Sequence, residues 1–141
     1  MTYQKILVAI DDSETTDKVI HEAAQLAKAL NSQITVVSVV ASDPYLNYGQ
    51  GTEFLDRVRD HVQSHLRQVA EKFTHLGVNV STQLLEGIAV DKEILNAAQH
   101  SASELIIMGS HGRTGLSKLL LGSIAQKVLA ESQIPVLVIR A

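Results

Sequence analysis

Residues 104–140 read ELIIMGSHGRTGLSKLLLGSIAQKVLAESQIPVLVIR. The run ELIIMG is apolar without alternation, the mark of a strand buried on both faces. A glycine-rich connection follows, then the helical pattern SIAQKVLAES. PVLVIR is a second apolar strand, entered at Pro135, where a missing N–H does little harm. Strand, loop, helix and strand in that order make a right-handed crossover between parallel strands. The connection also holds four of the chain's eight glycines, Gly109, Gly112, Gly115 and Gly122, among the hydroxyls of Ser110, Thr114, Ser117 and Ser123.

The same alternation extends back to the start of the chain. KILVAI (5–10) is a buried strand, and DDSETTD opens a helix with Ser13 as N-cap and Glu14 and Asp17 at the positive end of its dipole. Val19, Ile20, Ala23, Ala24, Ala27 and Leu30 recur at helical spacing. QITVVSVV (33–40) is a second strand, and ASDPYLNYGQG is loop, punctuated by Pro44, Gly49 and Gly51. Leu55, Val58, Val62, Leu66, Val69, Phe73 and Leu76 form a long amphipathic helix that Gly77 ends. VNVSTQLL alternates, as an edge strand does, and AVDKEILNAAQH is a short helix. The order is β-α-β-α-β-α-β-α-β, which predicts an α/β domain over residues 1–141: an open parallel five-stranded sheet with helices on both faces.

Bulk properties bound the function. At 141 residues, 45% hydrophobic and 19% charged, the chain is an ordinary globular domain. A net charge of −3 without a Lys/Arg cluster argues against nucleic acid or an anionic membrane as partner. The absence of cysteine removes disulfides, thiolate metal sites and a thiol nucleophile. No apolar run reaches membrane-spanning length and acidic residues interrupt any signal-peptide core, so a cytoplasmic location is expected.

In open α/β sheets the ligand crevice lies beyond the carboxyl ends of the strands, where the winding reverses. The common five-strand orders, 3-2-1-4-5 and 2-1-3-4-5, both put that point beside the first strand. Under 3-2-1-4-5 Asp11 faces Gly109, so the glycine loop falls where a site is expected. Glycines let main-chain N–H groups approach an oxyanion, and a helix N-terminus adds free donors and partial positive charge. Ser123 could cap that helix and donate a hydroxyl, while Arg113 and Lys118 supply cations. These groups suit nucleotide phosphates, although the spacing matches neither the P-loop nor the dinucleotide fingerprint.

The spacing Gly109-x2-Gly112-x9-Gly122-Ser123 resembles the G-x2-G-x9-G-[ST] signature of nucleotide-binding universal stress proteins. KILVAIDDSE, EGIAVDKEI and IPVLVIR resemble the family in the same order over essentially the whole chain. The resemblance implies a Rossmann-like fold of the adenine nucleotide alpha hydrolase type, with order 3-2-1-4-5, and an ATP, ADP or AMP ligand. It places Ala9, Ile10 and Asp11 at the adenosine end, with the Asp11 carboxylate near the ribose, and Val39 against adenine through its backbone. Met108 and Gly109 would border the ribose. Gly112, Gly122, Ser123, Ile124 and Ala125 would wrap the phosphates, with His111 and Arg113 in the same loop. Ala125 stands where some relatives have Ser or Thr, so one side-chain phosphate contact open to them is missing here. No protein metal site is implied; Mg²⁺ would arrive with the nucleotide, near Asp11.

Asp11-Asp12 also suggests a response-regulator receiver, but the chain lacks that fold's Asp after the third strand and Lys after the fifth. Asp12 is then a solvated helix start. His61 and His65 have i, i+4 spacing without an evident third ligand and read as surface or core-edge histidines; His111 reads as loop structure first. Tyr45 and Tyr48 are expected to pack on the long helix, with a lid over adenine as the alternative. The apolar last strand, Val136, Leu137, Val138 and Ile139, is an association hazard at a sheet edge and predicts an isologous homodimer. The expectation is a dimeric nucleotide-binding sensor or regulator rather than an efficient catalyst. The alternatives are a slow ATPase or phosphotransferase, with Asp11 holding Mg²⁺, and an interaction protein with a vestigial site.

Overall fold

The computed structural model describes residues 2–43, 51–111 and 120–141. The chain alternates β1 (Lys5–Ala9), α1 (Thr16–Leu30), β2 (Gln33–Ala41), α2 (Gly51–His75), β3 (Val80–Gly87), α3 (Val90–His100), β4 (Leu105–Gly109), α4 (Ser123–Glu131) and β5 (Val136–Ile139). The strands form one sheet in the order β3-β2-β1-β4-β5, every neighbouring pair parallel. The predicted fold class and the order 3-2-1-4-5 are thus observed. Among the described residues no helix is long and apolar enough to cross a membrane.

Two apolar layers sandwich the sheet. Ile6, Val8, Val36 and Ile107 turn to one face and meet Val19 and Ala23 of α1 and Leu66, Val69 and Phe73 of α2. Leu7, Val37, Ile106 and Met108 turn to the other and meet Ile94 and Ala97 of α3 and Ala125 and Val128 of α4. Burial on both faces explains why β1 and β4 read as unbroken apolar runs.

Three local expectations need correction. Helix α2 starts at Gly51, which was read as loop, one turn ahead of its first apolar anchor. Strand β3 is offset by two residues, since Val78 and Asn79 lead into it and it runs on through Glu86-Gly87, where Ser42 N–H donates to the Gly87 carbonyl (2.9 Å). Ser13 does not cap α1: Thr15 holds the N-cap position, and the Ser13 hydroxyl pairs with the Thr15 hydroxyl (2.9 Å) instead. The end of α2 is as expected. Gly77 takes φ +83°, the left-handed conformation glycine adopts without strain, and Val78 N–H folds back to the Phe73 carbonyl (3.0 Å). Pro44, Tyr45, Tyr48 and Gly49 lie outside the described residues.

Candidate functional site

Parallel order brings the carboxyl ends of β1 and β4 together, with Ala9 opposite Met108. Asp11 therefore leaves β1 beside Gly109 and Ser110. Its carboxylate is half-buried; Oδ1 accepts Ser13 N–H (3.1 Å), and its carbonyl accepts the Thr16 hydroxyl (2.7 Å). These two bonds bend the chain tightly from β1 into α1 and hold Asp11 at the rim.

Thr15, in the same turn, lies against β4. Its Oγ1 would be 2.9 Å from a Cβ built on Gly109, closer than real side chains come, and its hydroxyl points to the His111 carbonyl (3.5 Å). Gly109 is thus required by the approach of α1 whether or not a ligand is present. The sequence offered no signal for that contact.

The far bank of the crevice is the start of α4. Gly122 is its N-cap, in extended conformation (φ −62°, ψ 153°), without a side-chain cap. Ser123 is therefore the first helical residue rather than the cap, and its side chain is exposed. The first intrahelical bond runs from Gln126 N–H to the Gly122 carbonyl (2.9 Å). The N–H groups of Ser123, Ile124 and Ala125 precede it and have no acceptor within the helix. They sit at the positive end of the α4 dipole, an arrangement that favours an anion. Gly122 differs from expectation: its N–H is already taken by the Ser110 carbonyl (2.7 Å).

The remaining predicted residues separate by role. Ala9, Met108 and Ala125 are buried in the α3/α4 layer, and Val39 and Ile124 pack half-buried on it, so the five belong to one apolar layer. Ile10 does not join them. Its side chain belongs to the opposite layer and its N–H donates to the Val37 carbonyl (3.0 Å), because β1 still pairs there. The His111 ring closes the loop's base, Nε2–H donating to the Leu120 carbonyl, as its reading as loop structure anticipated. Gly112, Arg113, Thr114, Gly115, Ser117 and Lys118 lie outside the described residues.

A cavity of about 410 Å³ opens on the α2 side of Asp12, lined by Phe54, Arg57, Val58, His61 and Val62. It adjoins the crevice without including any predicted nucleotide residue. Asp12 is not simply a solvated helix start: its Oδ2 lies 3.2 Å from His61 Nε2. Sequence reading also missed Ser110. It is buried (4% exposed) at the junction of β4, β5 and α4, where its N–H donates to the Ile139 carbonyl (2.8 Å) and its Oγ accepts Ala141 N–H (3.3 Å).

Residues 2–140 match the universal stress protein family. The chain belongs to that family. Among its relatives is the universal stress protein YxiE of Bacillus subtilis, 32% identical over 98% of this chain and 99% of its own. Among solved structures, the hypothetical protein MJ0577 superposes with a TM-score of 0.90 at 26% identity, covering 100% of this chain and 98% of that one. A universal stress protein from Archaeoglobus fulgidus, solved in complex with dAMP, shares the fold at a TM-score of 0.76 and 22% identity, covering 99% of this chain and 100% of that one.

Proposed function

We infer that this universal stress protein binds an adenine nucleotide, ATP or its products, in the crevice between Asp11 and the start of α4, and works as a homodimeric sensor or regulator. The observation that carries the reading is the run of three main-chain N–H groups, Ser123, Ile124 and Ala125, that precede the first intrahelical bond of α4, held beside the end of β4 by the Gly122–Ser110 bond, with Ala9, Val39 and Met108 in the apolar layer of the same side. An apolar layer suits a base, a carboxylate suits ribose hydroxyls, and helix-terminal amides suit phosphates. The dAMP complex of the Archaeoglobus fulgidus protein supports the ligand class. Ile10 and Gly122 would contribute through the path of their backbone, since their N–H groups have other acceptors. Gly112 and Arg113 complete the proposed site, with Mg²⁺ carried in by the nucleotide.

Binding rather than efficient turnover is the reading supported by how the described polar side chains at the rim are engaged. His111 Nε2 is occupied by the Leu120 carbonyl, and Asp11 accepts from the Ser13 amide, so both hold the loop geometry. A base catalyst needs a free lone pair within reach of the attacking water. The dimer would form through β5, where Val136 and Val138 are half-exposed and Leu137 is 39% exposed on an edge strand.

The test is an ATP titration of the purified chain followed by thermal unfolding, with any small molecule released on denaturation identified by mass. A genuine site stabilises the fold by about 2.7 kcal/mol at a hundredfold excess over Kd. Asp11→Ala should weaken ATP, and the wild type should return it intact after long incubation. A melting temperature indifferent to every adenine nucleotide would reject the reading.

A further inference from the structure

We propose that Ser110 is a positioning residue that couples the carboxyl end of β5 to the nucleotide crevice; this rests on the nucleotide reading above. Ser110 takes part in four attachments; its hydroxyl lies 3.5 Å from His111 Nδ1, and the other three join β5 and α4. Its N–H donates to the Ile139 carbonyl (2.8 Å), the bond that closes the last β4–β5 pair, Gly109↔Ile139. Its carbonyl accepts Gly122 N–H (2.7 Å), fixing the N-cap of α4. Its hydroxyl accepts Ala141 N–H (3.3 Å), holding the chain as it leaves β5. The residue is buried at 4% exposure, and the bond from Ala141, itself exposed, is partly buried.

The consequence is geometric. The three helix-start donors of α4 begin one residue after Gly122, and the Gly122 position is set by the Ser110 carbonyl. The Ser110 main chain is in turn set from the β5 side by Ile139 and Ala141. Loosening the end of β5 lets Ser110 tilt and carries the α4 donors off the direction of the crevice. Coupling of this kind is reciprocal in binding free energy, so a nucleotide seated on α4 also orders the end of β5. The strand read as the dimer edge and the proposed phosphate site thereby share one buried serine.

Ala141→Pro tests this without touching the crevice, since proline lacks the N–H that Ser110 accepts. ATP titration of the full chain by calorimetry should show Kd raised about fivefold or more in both Ala141→Pro and Ser110→Ala, the lower end of ordinary coupling. The double variant should be no weaker than the weaker single one, because both cut the same link. Ser110→Thr, which keeps the hydroxyl, should bind as the wild type does. Amide exchange at Gly122, read without ligand, should quicken in Ala141→Pro. Equal ATP affinity in wild type and Ala141→Pro overturns this coupling alone. A wild type that takes up no adenine nucleotide overturns the nucleotide reading and the coupling with it.

Discussion

The two edges of the sheet are finished differently. β3 runs eight residues and turns Ser81, Gln83 and Glu86 to solvent while its apolar positions are partly covered. Arg59 of α2 grips it with a two-pronged bond to Glu86, Nε to Oε1 at 2.7 Å and Nη2 to Oε2 at 2.9 Å, and also holds Asp56 at 3.1 Å. β5 runs four residues, Val136–Ile139, with no polar side chain among them, and Leu137 is 39% exposed. An edge with polar outward positions and a helix pinned across it resists further pairing; a short apolar edge invites it. The contrast supports the proposal that a dimer would form through β5 rather than β3.

The largest expected change would break the β3 side. Phe73 is fully buried beneath α2, and Phe73→Ala should cost about 3–5 kcal/mol in denaturant unfolding, with β3 amides exchanging faster than those of β5. If β5 loosened first, α2 would not be what holds the β3 edge. Next comes the open side. Leu137→Lys should raise a dimer dissociation constant about a hundredfold, about 2.7 kcal/mol, in sedimentation. Monomer stability should barely move, since the side chain is already partly in water.

A smaller effect is expected where the edges' helices meet the crevice. Gly109→Ala puts a Cβ 2.9 Å from Thr15 Oγ1 and should cost about 1–2 kcal/mol of stability. Adding Thr15→Ala should recover most of it, a check that the clash and not the backbone is responsible. The smallest effect concerns the Arg59 grip. The hydrogen bond from Arg59 holds the Glu86 carboxyl below its ordinary value. A lowered folded-state pKa gives stability that is present above the unfolded pKa and lost as pH falls through the folded one. Arg59→Ala should therefore lower the melting temperature slightly at neutral pH, and the difference from wild type should close in acid.

Much of the architecture was legible because burial on two faces leaves a plain trace in sequence: unbroken apolar runs for β1 and β4, a mostly apolar run for β2, and helical periodicity between them. The edge character of β3 was legible from its alternation, and the end of α2 from Gly77. The start of α1 was not, because Ser13, Thr15 and Thr16 all suit a cap and the choice fell to Asp11, whose carboxylate took the Ser13 amide. For the site, glycine spacing and strand order pointed to the rim beside Asp11 and Gly109. They could not show that Ile10 turns to the opposite layer, or that the amide of Gly122 is taken by Ser110 while the three after it have no acceptor within the helix. Ser110 was passed over as one hydroxyl among several in its loop.

The sequence by itself determined the class of fold, the strand order expected for its family and the end of the sheet where a ligand would sit. These follow from periodicity and punctuation, which act within a few residues. Only the tertiary structure decided which donor at the start of α4 is taken from outside the helix, which glycine answers to a neighbouring helix, and which serine joins β4, β5 and α4. Those depend on contacts between residues as much as 96 positions apart, such as Thr15 with His111, and packing settles them only when the sheet is assembled.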